Sequence, residues 1–399
     1  MHPDVDLCSG SFWGHNPHAE LQWLREHAPV YWDGTVWGIA TYDILKEASK
    51  DPGTFSNAHG IRPGYPALPM MIDMDDPAHW QRRKIVNKGF TPRRVRDSEP
   101  AIRRACTEIL DAVCERGECD FVTDIAAWLP MIMIGDQLGV RPEHRAELLR
   151  WSDEMLKGQA ADAATETVDR AASAFGEWVT YAAEAVAQRR AEPTDDLLSV
   201  LVHAEVDGDR LDADALCHES LLILVGGDET TRHVISGGMY QLFVNPDQRQ
   251  KLADDPSLLT TGVEEMLRWV SPIKNMARTV TRDVEFHGQE LHEGDEVLLL
   301  YPSANRDAEV FADPMRFDVE RAPNEHVAFG FGSHFCLGNS LARLELIVLF
   351  EELLRRLPDI QMADASLTEP AYRLANFISG YESMPVVFTP TAPEGDRSA

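Results

Sequence analysis

The chain has 399 residues with 37 basic and 66 acidic side chains, a formal charge of −29, and 44% hydrophobic residues, which is ordinary for a globular protein able to build a sizeable core. So negative a surface repels a phosphate backbone and argues against nucleic acid as a partner, while six irregularly spaced cysteines read as reduced thiols rather than a disulfide frame. No apolar run approaches the roughly twenty residues of a membrane span, and the acidic start Met1 to Asp6 lacks the features of a signal peptide; a cytoplasmic monomer without a membrane anchor is expected.

Pro29 to Trp32 and Val36 to Ala40 flank Asp33-Gly34, which predicts a strand, a tight turn and a second strand. Residues 60–77 are rich in glycine, proline and methionine and predict a loop whose Met70, Met71 and Met74 can adapt to a pocket or to a core. His79 and Arg83 stand at i and i+4 on one face of a helix that begins after Pro77. Then basic charge concentrates: Arg82, Arg83, Lys84, Lys88, Arg93, Arg94, Arg96, Arg103 and Arg104 meet only Asp97 and Glu99. Such a run is either a solvated face or a docking surface for an acidic partner. From Glu99 to about Ala204 the pattern is helical, with breaks at Gly117, Pro130, Gly139 to Pro142 and Pro193.

Asp214 to Val244 is apolar-periodic and closed by Asn245-Pro246, predicting a helix of roughly 45 Å at the α-helical rise. Its middle reads Gly226-Gly227-Asp228-Glu229-Thr230-Thr231. Each glycine costs a helix about 1 kcal/mol relative to alanine, and a buried carboxylate costs more. Local rules broken at the centre of a buried helix mark a functional site. Glu265 and Arg268 form an i, i+3 pair on a helix expected over Val263 to Trp269. An extended piece from Ile273 to Arg278 follows, with strand patterns at Thr279 to His287 and Glu296 to Leu300. Near the end, Asn376-Phe377-Ile378 would close a small sheet and offer Phe377 and Ile378 to a pocket.

The stretch from Phe329 to Gly338, FGFGSHFCLG, carries the most chemistry. Gly330, Gly332 and Gly338 let the backbone turn tightly and approach something bulky. Leu341, Leu344, Ile347 and Val348 open a helix directly afterwards, so Cys336 sits at a helix start that favours its thiolate. Phe329, Phe331 and Phe335 would keep water off the sulfur. A lone sheltered thiolate suits neither zinc nor an iron–sulfur cluster, which need more ligands; it suits one axial bond to haem iron.

The spacing Phe-x-x-Gly-x-His-x-Cys-x-Gly resembles the haem-binding loop of the cytochromes P450, and Gly-Gly-Asp-Glu-Thr-Thr resembles the oxygen-binding motif of that family's long helix. Met70 to Ala78, Val113 to Phe121, Leu221 to His233 and Ser383 to Pro390 resemble the actinobacterial members that oxidise the terminal methyl of the cholesterol side chain. The resemblance implies a mainly α fold with small β-sheets (α+β), in one domain spanning residues 1–399, the β-rich part lying roughly at 25–60, 273–302 and 372–390. It implies haem b ligated by Cys336, with His79, Arg83, Arg278 and His334 on its propionates and Phe329, Gly338 and Gly226 against it. Glu229 and Thr230 would manage protons. Glu265, Arg268 and Arg321 would form a buried structural charge triad. Substrate contacts are expected from Met71, Ile72, Met74, Val225, Gly226, Ile273, Met276, Phe377 and Ile378. The activity implied is hydroxylation of an apolar, sterol-like substrate with dioxygen and electrons from a ferredoxin docked near Arg82 to Arg104. The other readings are a tailoring hydroxylase acting on a macrolide, terpenoid or carrier-bound acyl chain, and a haem-based binding or sensing protein.

Overall fold

The computed structural model describes residues 4–159, 163–206, 208–364, 366 and 369–395. Everything is arranged about the helix Ala213–Val244, of 32 residues, whose first turn is capped by the Asp212 carboxylate accepting from the Ala215 N–H. Most of its circumference is buried, as expected of a helix that is apolar on all sides. It packs on the helices Trp128–Gln137, Leu259–Val270 and Thr165–Ala191. The crossing with Leu259–Val270 is close because a Cβ on Gly237 would lie 2.6 Å from Val270 Cγ2.

Two cores flank this helix. One joins its C-terminal half to the helices Glu99–Asp111, Leu259–Val270 and Asn339–Arg356 through residues such as Ile102, Leu110, Met239, Met266, Leu346 and Phe350. The other joins its N-terminal half to Arg145–Lys157 and Thr165–Ala191 through Leu148, Trp151, Trp178, Leu216 and Leu224. Among the described residues no helix is long and apolar enough to cross a membrane.

The largest sheet has five strands in the order Val30–Trp32, Trp37–Ile39, Glu296–Leu300, Asn275–Val280, Phe55–Ser56. Leu298 pairs antiparallel with Ala277 and parallel with Gly38. Val297 and Leu299 enter one apolar cluster with Ile39 and Phe55, whereas Leu298 and Leu300 enter another with Leu7 and Trp13. Both faces of this strand are covered, which is why Val297 to Leu300 reads as an unbroken apolar run.

The long helix and the Leu259–Val270 helix lie where the periodicity predicts them. Two segments differ. Glu118–Asp120, inside a stretch of helical pattern, is a strand paired with Pro385–Val387, Cys119 opposite Val386. Asn376 to Ile378 is not a strand; a bridge from Ile378 to Ile273 and hydrogen bonds from the Lys274 N–H to the Phe377 carbonyl and from Asn275 Nδ2 to the Asn376 carbonyl hold it between the strands Ala371–Tyr372 and Tyr381–Ser383. In both cases the deciding partner is far away in the chain.

Candidate active site

Between the long helix and the loop before Asn339–Arg356 lies a cavity enclosing about 1870 Å³ of empty space including its mouth. Val225, Gly226, Gly227, Thr230 and Thr231 form one wall; Phe329, Gly330, His334, Cys336, Leu337 and Gly338 form the opposite one. The two helix glycines do different things. A Cβ on Gly226 would meet nothing within 4 Å, so this glycine widens the cavity, while one on Gly227 would lie 2.8 Å from Ile134 Cδ1 and is excluded by packing. Thr230 Oγ1 donates to the Gly226 carbonyl at 2.9 Å, which turns the hydroxyl along the widened wall.

The cysteine loop is set by its backbone. Gly330 and Gly332 have φ of 72° and 79°, in the left-handed region, and the Cys336 N–H donates to the Phe329 carbonyl at 2.9 Å. The helix starts at Asn339, three residues beyond the sulfur rather than at it. Burial therefore pushes the Cys336 thiol up, opposed by the Gly338 and Asn339 N–H groups and by Arg83 and Arg343. The three phenylalanines do not shelter it equally. Phe329 lines the cavity with the Arg343 guanidinium 4.5 Å from its ring centre. Phe331 also lines the cavity, with Lys46 and Lys50 4.6 and 5.2 Å from its ring centre, and Phe335 is 37% exposed.

Four basic side chains converge on one edge of the cavity: His79, Arg83, Arg278 and His334. His79 is buried with Nδ1 3.1 Å from Asp76 and Nε2 without a partner among the described residues, its ring centre 3.9 Å from that of His334. Burial, reinforced by His79, Arg278 and Arg83, lowers His334 to about 2. Arg83 donates to the Phe335 carbonyl and Arg278 to the Ala277 carbonyl, and burial lowers both guanidinium groups. Neither forms an ion pair with a described carboxylate. Tyr301, which sequence reasoning did not single out, lines the same edge beside Arg278.

Glu229 is not in the cavity. It is fully buried on the far side of the long helix, with Oε1 2.7 Å from Arg232 and Oε2 2.9 Å from Arg373 and 3.4 Å from His233 Nε2. Burial alone would raise its carboxyl, but Arg232 and Arg373 outweigh that and hold it well below the usual range. Asp153 bridges the same two arginines at 3.4 and 2.6 Å, and burial lifts neighbouring Asp228 to about 7. Arg232 was visible one helical turn after the acids; Asp153 and Arg373 gave no local signal. Met74 is also displaced: its side chain is not on the lining, and its carbonyl accepts from His334. Met71, Ile72, Val225, Ile273, Met276, Phe377 and Ile378 all line the cavity.

Beneath the cysteine loop Glu265 accepts from Arg268 at 2.7 and 2.8 Å and from Arg321 at 3.1 Å, with Asn324 adding a fourth contact at 3.1 Å. Arg268 reaches on to the carbonyls of Asn305, Pro314 and Arg316. Glu265 and Arg268 are fully buried and mutually satisfied, so this cluster fixes the long irregular segment 304–328 that leads into the loop.

A glycine-widened helix facing a cysteine loop across an apolar cavity, with cationic groups along one edge, defines a haem–thiolate protein. The model of the cytochrome P450 family matches residues 159–358, and the chain belongs to that family. It is 54% identical over 395 residues to the steroid C26-monooxygenase of Mycobacterium tuberculosis, covering 98% of this chain and 99% of that one. To the steroid C26-monooxygenase of Mycolicibacterium smegmatis it is 52% identical, covering 98% of each. A Mycobacterium marinum cytochrome P450 solved in complex with pseudoionone superposes with a TM-score of 0.90 at 33% identity, covering 97% of this chain and 99% of that one. The protein is a cytochrome P450 monooxygenase whose cofactor is haem b. The site fits that group: among the described residues His79 Nε2 is buried without a partner at the basic edge, and Gly226 leaves open space on the wall facing the cysteine loop.

Proposed function

We propose that the protein hydroxylates the terminal methyl of a steroid side chain, with cholesterol or cholest-4-en-3-one as substrate and a ferredoxin as electron donor. The observation that carries this reading is full-length similarity to steroid C26-monooxygenases, together with an apolar cavity that runs from the 61–72 loop to Gly226 and Thr230. Cys336 would supply the thiolate ligand to haem iron, and His79, Arg83, Arg278 and His334 would hold its propionates by charge-assisted hydrogen bonds. When bound, haem supplies the activation of dioxygen.

The chain's own contribution is orientation, dryness and proton control. Ile72, Val225, Ile273, Met276, Phe377 and Ile378 hold a side chain in line with the Gly226 wall and exclude water. Thr230 Oγ1 positions protons at that wall. For Glu229 to relay protons to it, the carboxylate would first have to turn from Arg373 and His233 toward the cavity and take up a proton, since it faces away and is held ionised by Arg232 and Arg373.

Electrons arrive at the basic face. Arg82 is turned inward onto Glu219 and the Pro69 carbonyl, and Arg103 is engaged by Glu99, Glu351 and Glu352. The exposed Lys84, Lys88, Arg96 and Arg104 remain for an acidic ferredoxin, joined by Arg93, whose pair with Asp97 at 3.5 Å is itself exposed, in a cytoplasmic monomer. The deciding experiment titrates the ferric protein with cholest-4-en-3-one, follows the haem spectrum, and analyses products with a surrogate ferredoxin and reductase. A shift to high spin and a side-chain alcohol are expected. Absence of both would move the substrate to natural-product biosynthesis.

A further inference from the structure

The cavity changes character at its mouth. Ile61, Leu156, Phe377 and Ile378 form one buried cluster on which Ile72, Val225, Ile273 and Met276 pack, and all eight line the cavity. This apolar collar includes Val225, the residue before Gly226, so one side of it borders the Gly226–Thr230 wall. On the other side two of its members are followed by polar groups. Arg62 comes directly after Ile61, and Gln159 comes three residues after Leu156, just past the helix Arg145–Lys157; both line the cavity. The mouth is here, because Pro66 and Ala67 are exposed and Leu68 is half-buried on the lining. The Tyr65 hydroxyl donates to the Gly158 carbonyl at 3.2 Å and ties this loop to the helix end beside Gln159.

The two rim groups are not equivalent. Arg62 is committed to the buried Asp73, which also accepts from the Ile61 and Leu68 N–H groups. Gln159 Oε1 is buried and has no hydrogen-bond partner among the described residues. A buried amide oxygen without a donor is unfavourable, and this one belongs to a side chain on the wall of a ligand cavity. A steroid whose side-chain methyl lies against Thr230 places its ring system through the collar and its ring-A oxygen at the rim.

Resting on the steroid reading above, we infer that Gln159 is a specificity-determining residue that recognises the ring-A oxygen. An amide carries both an acceptor and donors. Its Oε1 accepts from a 3-hydroxyl, and its Nε2–H donates to a 3-ketone, so one side chain serves both oxidation levels of the ring.

The test measures binding of cholesterol, cholest-4-en-3-one and 5α-cholestane, which lacks the oxygen, to the haem-loaded protein by calorimetry and by the spin-state shift. Gln159→Leu should weaken the two oxygenated sterols by about 3- to 10-fold, the range of one neutral hydrogen bond, and leave cholestane unchanged. Gln159→Glu keeps an acceptor and loses the donor, so it should weaken the ketone while sparing the alcohol. Equal weakening of all three ligands by Gln159→Leu would show a packing role and overturn the inference, as would no change in any. If the unaltered protein binds none of the three, the steroid reading falls and this inference with it; if it binds all three alike, the inference alone falls.

Discussion

Replacing Arg373 by methionine should expose how the acid at the centre of the long helix is held. Arg373 is 5% exposed and contacts Glu229 at 2.9 Å and Asp153 at 2.6 Å. Its removal leaves Glu229 with Arg232 and His233, Asp153 with Arg232 and Lys157, and Asp228 with Arg232. Breaking a buried ion pair by deleting one partner costs about 3–5 kcal/mol, and for 399 residues the unfolding entropy of about 0.8 kcal/mol per degree converts that to a fall in Tm of about 4–6 °C. The loss should depend on pH. In the native chain Glu229 titrates below its unfolded value of about 4.3, so its contribution is complete above that pH and is lost as pH falls through the folded value. Without Arg373, burial lifts the folded value, and the variant recovers stability by taking up a proton as pH falls. Thermal unfolding of the two proteins at pH 7.5 and pH 5 should therefore show a larger gap at 7.5. A shift under about 1 °C, or a gap equal at both pH values, would refute the placement of Glu229 in this cluster.

Three further outcomes are expected. Thr230→Ala should keep haem and substrate binding while product formation falls by about 100-fold, the low end for a positioned proton transfer, with hydrogen peroxide appearing instead; tight coupling in that variant would contradict the role of the hydroxyl. Gly226→Ala should be neutral or slightly stabilising in a melt, because its Cβ enters open space, whereas Gly227→Ala should cost about 1–3 kcal/mol by pressing on Ile134; equal effects would deny the two glycines their separate tasks. Charge reversal at Arg93, Arg96 and Arg104 should slow reduction by a ferredoxin about 10-fold or more at low salt, a difference that shrinks as salt rises; rates indifferent to both changes would place the docking face elsewhere.

Features confined to one loop or one helical turn were legible in the chain. The glycines and Cys336 of the 329–338 loop, the His79 and Arg83 spacing, and the Glu265–Arg268 pair need only residues within a few positions of one another. Both cavity walls lie where those patterns put them. The long helix was legible for the same reason, since its apolar positions recur along 32 consecutive residues.

Features that join distant segments were not. Cys119 enters a sheet because Val386 lies opposite it, and Asn376 to Ile378 forms no strand because Ile273, Lys274 and Asn275 meet it through one bridge and isolated hydrogen bonds rather than a ladder. The sequence by itself determined the glycine–cysteine loop, the long helix that faces it and the Glu265–Arg268 pair, because backbone geometry and i, i+3 or i, i+4 neighbours are set by the chain's own periodicity. Only the tertiary structure decided that Glu229 turns away from the cavity, that Gly226 opens space while Gly227 serves packing, and that Gln159 Oε1 is buried at the rim without a partner among the described residues. Each of those depends on desolvation and on partners such as Arg373, 144 residues from Glu229, and neither is a property of the local sequence.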